Sequence, residues 1–348
     1  MSRYWQELLA ASVTGISGLP DHLRPVDKVG SEAAGRFYPL RINRYYAGLI
    51  RHPDDALGRQ VIPDGRELKD AVYDDDPLAE ANQSPVPGII HRYPDRVIFL
   101  CSASCPVFCR FCMRKRLAGK TAALTEDQVD KALAYIRSQG SVREVILSGG
   151  DPLLLEDNVL DFLLAKIRAM DHVDQIRVHS RTPSALPQRI TPDLAGILGR
   201  YHPLYLNIHV NHPDEVTAAM ATACARLADV GIPLGSQTVL LKDINDTAAI
   251  MEKLWRSLLR IRVRPYYLHH PDLVRGTAHF RMPVEVGLDI MRALQGRLTG
   301  SALPRYMIDL PGGGGKVPLQ PDYVQGRRQN MLMVKNYQGK SFTYPAKA

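Results

Sequence analysis

The chain has little of what marks a protein for a membrane, for export or for nucleic acid. No apolar run reaches the roughly 18 residues that span a bilayer, and the opening MSRYWQELLAASV carries Glu7 where a secretory leader needs an unbroken apolar stretch. A cytoplasmic protein with no membrane partner is expected. Basic residues outnumber acidic ones by 44 to 36, yet they form no block of five or six and are not interleaved with aromatics. That argues against a nucleic-acid surface, and anionic small ligands account for a mild basic excess equally well. Cysteine is scarce too. There are five in 348 residues, and four of them crowd between Cys101 and Cys112. In a reducing compartment such crowding points to metal ligation rather than to disulfides.

What is present is a rhythm. The first ninety or so residues are irregular, with helical patches such as WQELLAAS, and DPLAEANQSPVPG reads as a connector. From Arg96 onward, short apolar runs with strand character (VIFLCS, REVILSGG, QIRVHS, LYLNIHV, LGSQTVLL, VRPYYLHH) alternate with helical stretches. Thr125 and Gln128 form a capping box. Leu160, Leu163, Leu164 and Ile167 recur at helical spacing. About six strand–helix units run through Leu298, too few for the eight-fold barrel, so the expected fold class is α/β, a partial (β/α)6 barrel. The divisions expected are 1–90 as a partly helical N-terminal extension, 91–300 as the barrel and 301–348 as a C-terminal segment. In such folds chemistry gathers where strands end. The unusual polar residues do sit there: Ser148-Gly149-Gly150-Asp151, His179-Ser180-Arg181, His209, Gln237 and His269-His270.

Cys105, Cys109 and Cys112 form C-x3-C-x2-C in the loop after the first barrel strand. Thiolates at that spacing can hold three irons of a [4Fe–4S] cluster and leave the fourth iron open. Structural zinc usually wants four closed ligands in paired spacing, and no second pair exists. Cys101, placed before the loop, is the alternative fourth ligand.

That spacing resembles the radical SAM superfamily, and the surrounding motifs resemble lysine 2,3-aminomutases more narrowly. They are YPLRINRYYAGLI, DPLAEANQSPVPG, HRYPDRVIFL, CRFCMRKRLAG, LSGGDPLLL, HSRTPSALPQRIT, NIHVNHP, PLGSQTVLL, RVRPYYLHHPDL and DLPGGGGK, in family order from about Glu32 to the end. The resemblance implies an isomerase that uses the cluster, S-adenosylmethionine (SAM) and pyridoxal 5′-phosphate (PLP) to move an amino group from Cα to Cβ by radical chemistry. It places SAM on Gly149, Gly150 and Asp151, and on His209 and Gln237. Glycine at a strand end lets backbone approach a ligand closely.

Lys316 follows Gly312-Gly313-Gly314-Gly315. By itself a glycine-rich turn ending in lysine could cradle a phosphate or simply turn, although Val317 breaks the phosphate-loop pattern. The resemblance makes Lys316 the PLP lysine and sets Arg92 and Arg96 at the PLP phosphate, where the planar guanidinium fork suits the anion. It sets Arg114 at the substrate carboxylate. Asp272 and Asp309 match the two acidic positions that hold the distal ammonium of lysine, and a lone charge in a dry site would be costly without them. The implied partners are a small amino acid, an electron donor such as flavodoxin or ferredoxin, and further copies of the chain.

Departures from the family pattern are also visible. Thr247 stands where longer members have a cysteine and no cysteine follows Cys224, so no zinc is expected; Cys224 reads as a buried helix residue. Phe111, Met113 and His269-His270-Pro271 replace more usual residues near the site. The alternatives are arginine or glutamate as substrate, the β-lysine supply for elongation factor P, and a radical SAM enzyme without PLP.

Overall fold

A computed structural model describes residues 4–70 and 73–346. Nine strands form one sheet in sequence order: β1 (Ile89–Tyr93), β2 (Arg96–Ser102), β3 (Glu144–Gly149), β4 (Gln175–Ser180), β5 (Leu204–His209), β6 (Leu234–Val239), β7 (Val263–His269), β8 (Arg305–Leu310) and β9 (Gly315–Leu319). Strands β2 to β8 are parallel, and β1 and β9 are antiparallel edges. Six helices follow strands β2 to β7 in turn: α1 (Glu126–Ser138), α2 (Asp157–Arg168), α3 (Pro192–Leu198), α4 (Ala218–Asp229), α5 (Ala248–Arg260) and α6 (Val284–Leu294). The six expected units are therefore present. Two further strands, β8 and β9, come from beyond residue 300 and lie in the same sheet. The sheet curls until its edges meet, because the Lys316 backbone N–H on β9 donates to Tyr93 Oη on β1 at 2.8 Å. A separate antiparallel sheet, β10 (Val324–Arg328), β11 (Met331–Lys335) and β12 (Ser341–Pro345), follows.

Local signals explain the helices. Thr125 Oγ1 accepts from Gln128 N and the Gln128 side chain accepts from Thr125 N, so two otherwise free donors at the start of α1 are satisfied. In α2 the residues at helical spacing, Leu160, Leu163, Leu164 and Ile167, are all buried against the sheet. Each such side chain stabilises by about 2 kcal/mol. Cys224 is buried in α4.

The strands alternate with period two, and the two faces differ in chemistry. Ile176 and Val178 of β4, Leu204, Leu206 and Ile208 of β5, and Leu234 of β6 lie in the core under the helices. The opposite face, toward the lumen, carries Arg177, His179, Asn207, His209, Gln237, Tyr267 and His269. Closed barrels fill this space with branched apolar residues. Here it is lined with groups that want ligands or charges.

The N-terminal extension is built of short helices, among them Tyr4–Ala10, Lys28–Phe37 and the 3-10 turn Gly65–Lys69. That turn carries Glu67, which is wholly buried. Arg110 grips it with Nε at 2.9 Å and Nη2 at 2.6 Å, and Lys115 Nζ lies 2.6 Å away. Burial alone would raise the Glu67 pKa, but the two cations hold it below the usual carboxylate range. The extension thus clasps the loop between β2 and α1 from both sides of Cys112. Removing one partner of such a buried group leaves the others uncompensated. The variant Glu67→Ala is expected to lose about 3 to 5 kcal/mol of unfolding free energy, read from urea unfolding.

Candidate active site

The loop after β2 gathers Cys105, Cys109 and Cys112, each half-buried. Burial and then the Cys112 and Cys109 thiols push Cys105 well above the usual thiol range, and burial with Cys109 pushes Cys112 up to about 11. The three sulfurs therefore feel one another in a dry pocket, which disfavours thiolates until a cation arrives. Two of them accept hydrogen bonds: Cys112 Sγ from Arg114 N at 3.4 Å, and Cys109 Sγ from Arg181 Nη1 at 2.6 Å. Cys101 stays on β2, donates to Ser148 O and takes no part in the group. Among the described residues no three His, Cys, Asp or Glu side chains close on a single metal ion. A four-iron cluster makes a different demand, since each thiolate meets its own iron, and the trio fits that demand.

Beside this loop the chain turns at Gly149 and Gly150. Sequence reasoning expects their small size to serve a ligand. The chain itself comes close to both: a Cβ on Gly150 would lie 2.4 Å from Ser104 O, and one on Gly149 2.4 Å from Ser102 O. The glycines let the end of β3 dock on the start of the cysteine loop. Asp151 follows them. Its Oδ1 accepts from Ser180 Oγ at 2.7 Å and Leu153 N at 3.1 Å, and its Oδ2 from Arg181 N at 2.7 Å and Thr182 N at 2.9 Å. These four donors tie β3 to β4.

The lumen brings most of the remaining candidates together. Asp309 on β8 and Lys316 on β9 are direct cross-strand partners, and their side chains form an ion pair. Arg92 Nη1 and His269 Nδ1 each lie 3.8 Å from the Asp309 carboxylate. Burial first, and the nearby Lys316 charge among others, hold His179 and His269 well below the usual histidine range, so both are neutral. His209 is lowered to about 3 by burial and then Arg181. Asp272 moves the other way. Burial, and then the neighbouring Asp309, raise it to about 7, against the pull of Lys316 and Arg114. Arg96 opens β2, paired with Asp95 at 2.8 Å and stacked on the ring of Tyr93, 4.0 Å from its centre.

Two partnerships escaped sequence reasoning. Arg114, expected to be free for a carboxylate, is held by Glu80 of the N-terminal extension, with Nε at 2.9 Å and Nη2 at 2.7 Å, and its Nη1 reaches Ser148 Oγ at 3.4 Å. Arg92 is likewise braced by Gln83 Oε1 at 2.7 Å and Leu78 O at 3.0 Å. The four-glycine turn fits the same segment. Gly313 takes φ +86°, and a Cβ there would lie 2.1 Å from Gln83 Nε2. No local pattern marks Glu80 or Gln83, because their role comes from a contact across the chain.

The lumen also fits the two organic cofactors. Buried His209 Nε2, Arg181 Nε and Asp309 Oδ1 have no hydrogen-bond partner among the described residues. Such groups cost stability unless a ligand meets them. His209 and Arg181 lie beside the cysteine loop, with the Phe111 ring 5.5 Å from each. Asp309 and Lys316 face each other on β8 and β9, with Arg92 Nη1 3.8 Å from the Asp309 carboxylate to meet an anion.

Known sequences agree with this geometry. Residues 100–254 match the Radical SAM superfamily, and residues 291–347 match the family described as Lysine-2,3-aminomutase. An L-lysine 2,3-aminomutase of Clostridium subterminale is 46% identical over 309 residues, 88% of this chain and 74% of its own. One from Acetoanaerobium sticklandii is 44% identical, covering 92% of this chain and 79% of its own. A glutamate 2,3-aminomutase of Clostridioides difficile is 40% identical, covering 88% and 73%. Enzymes of this kind are isomerases that work with a [4Fe–4S] cluster, SAM and PLP. On these likenesses, which run through nearly all of its length, the chain belongs to the lysine 2,3-aminomutase family of radical SAM enzymes.

Proposed function

We propose that the chain moves the α-amino group of L-lysine to the β-carbon, yielding β-lysine. The observation that carries this is the pair of carboxylates Asp272 and Asp309, close enough in one lumen to perturb each other. Two carboxylates in a dry site repel unless a cation joins them. Lys316 pairs with Asp309. A substrate ammonium at this end of the lumen would be met by both carboxylates.

The roles follow from placement. Cys105, Cys109 and Cys112 hold the cluster. Gly149, Gly150, His209 and Gln237 border the SAM side of the lumen. Lys316 holds PLP, with Arg92 and Arg96 flanking Tyr93 for the phosphate. When bound, the cluster and SAM supply one-electron hydrogen-atom chemistry and PLP supplies the ring that carries the amino group. Arg114 takes the substrate α-carboxylate on the edge left by Glu80, which orients the guanidinium and offsets its charge. Neutral His179 and His269 line the lumen without adding charge. The side-chain carboxylate of glutamate would face Asp272 and Asp309, and like charges brought together cost several kcal/mol. We also infer a one-electron donor of the flavodoxin or ferredoxin class, assembly with further copies of the chain, and a cytoplasmic setting.

Reconstituted anaerobically with iron, sulfide, PLP, SAM and reductant, the chain is expected to convert lysine to β-lysine and to leave glutamate and alanine unchanged, as read by chromatography and mass spectrometry. Formation of β-arginine instead would keep the reaction and overturn the substrate. Lys316→Ala is expected to abolish the PLP absorbance near 420 nm while the iron content holds. Because Asp272 has its pKa raised to about 7, it carries its charge only above that pH. KM for lysine is therefore expected to fall as pH rises through about 7. In Asp272→Asn that dependence should vanish, with KM raised about tenfold, equivalent to about 1.4 kcal/mol.

A further inference from the structure

Arg181 directly follows strand β4 and takes no part in the proposed reaction. It is 6% exposed, and its partners Tyr46, Gln60 and Glu215 are fully buried. Nη2 donates to Tyr46 Oη at 3.0 Å, Gln60 Oε1 at 2.7 Å and Glu215 Oε1 at 2.9 Å. Those contacts leave Nη1 aimed at Cys109 Sγ, 2.6 Å away. The frame is over-determined. Asp151 accepts from the Arg181 backbone N–H, Asn211 Nδ2 donates to Gln60 Oε1 at 2.9 Å, and Asn211 N and His212 N donate to the other oxygen of Glu215 at 2.8 and 2.9 Å. The rings of Tyr46 and Phe111 each lie 5.5 Å from the guanidinium carbon and exclude water.

We propose that Arg181 is a positioning residue that sets the reduction potential of the cluster through Cys109, with Glu215 as its counterweight. The proposal rests on Cys105, Cys109 and Cys112 being the cluster ligands. When the cluster takes one electron from an external one-electron reductant, no proton need follow, and the added negative charge spreads onto the thiolate sulfurs. A charged N–H donor at one sulfur stabilises that reduced form more than the oxidised form, and hydrogen bonds to cluster sulfurs are among the factors that set such potentials. The water-poor surroundings enlarge the effect. Glu215 pulls the other way, since its negative charge sits on the same guanidinium.

Opposite signs are therefore expected from two variants. In Arg181→Gln the midpoint potential moves to more negative values. In Glu215→Gln, which keeps the shape and a hydrogen-bonding oxygen, it moves to more positive values. A shift of ~60 mV in either direction is a tenfold change in the reduction equilibrium. The measurement is an EPR-monitored redox titration of the reconstituted chain without SAM, so that no turnover enters. The parent spectrum tests the cluster assignment separately: a parent that binds no [4Fe–4S] cluster defeats the ligand set itself. If Arg181→Gln loses its cluster, Glu215→Gln decides alone. Potentials equal to the parent in every variant that holds a cluster overturn the proposal. So does a weakened SAM affinity with unmoved potentials, which would make Arg181 a SAM contact.

Discussion

Charge cannot be buried alone, and this chain buries a great deal of it. Arg110 and Lys115 share Glu67, Arg114 is matched by Glu80, Arg181 by Glu215, Arg177 by Glu144, and Lys316 by Asp309. All but Lys316 and Asp309, which face each other on adjacent strands, join segments far apart in the sequence, and together they hold a polar lumen open where another barrel would pack hydrocarbon. Asp272 is the exception. Its nearest strong neighbour is another carboxylate, and burial drives it toward neutrality near pH 7.

The pairing rule shapes both ends of the lumen. Arg181 stands against Cys109 at one, while Lys316, Arg92 and His269 surround the Asp309 carboxylate at the other. The N-terminal extension takes part in both ends, because Glu67 and Gln60 brace the cysteine side while Glu80 and Gln83 brace Arg114 and Arg92. It is part of the site wall.

Asp151 and the glycines before it carry structural duties that the linear motif does not reveal. Their spacing and strand-end position drew attention, and ligand contact was the expected reason. The structure gives Gly149 and Gly150 a steric duty toward Ser102 and Ser104, and gives Asp151 four protein hydrogen bonds. Asp151 then fixes the backbone of Arg181, so it meets the cluster loop at one remove.

The sequence by itself determined what depends on local order. Alternating periodicities of two and 3.6 produced the six strand–helix units, Thr125 and Gln128 capped α1, and three cysteines within eight residues could only share one loop. Those features need only near neighbours, so a linear pattern carries them. The partners of buried charges were beyond its reach. Glu80 lies 34 residues from Arg114, Glu67 lies 43 from Arg110, and Gln60 lies 121 from Arg181. No spacing rule links them, because the sheet must first curl and the extension fold over it. Only then does the electrostatic cost of an unpaired buried charge decide which carboxylate each cation meets.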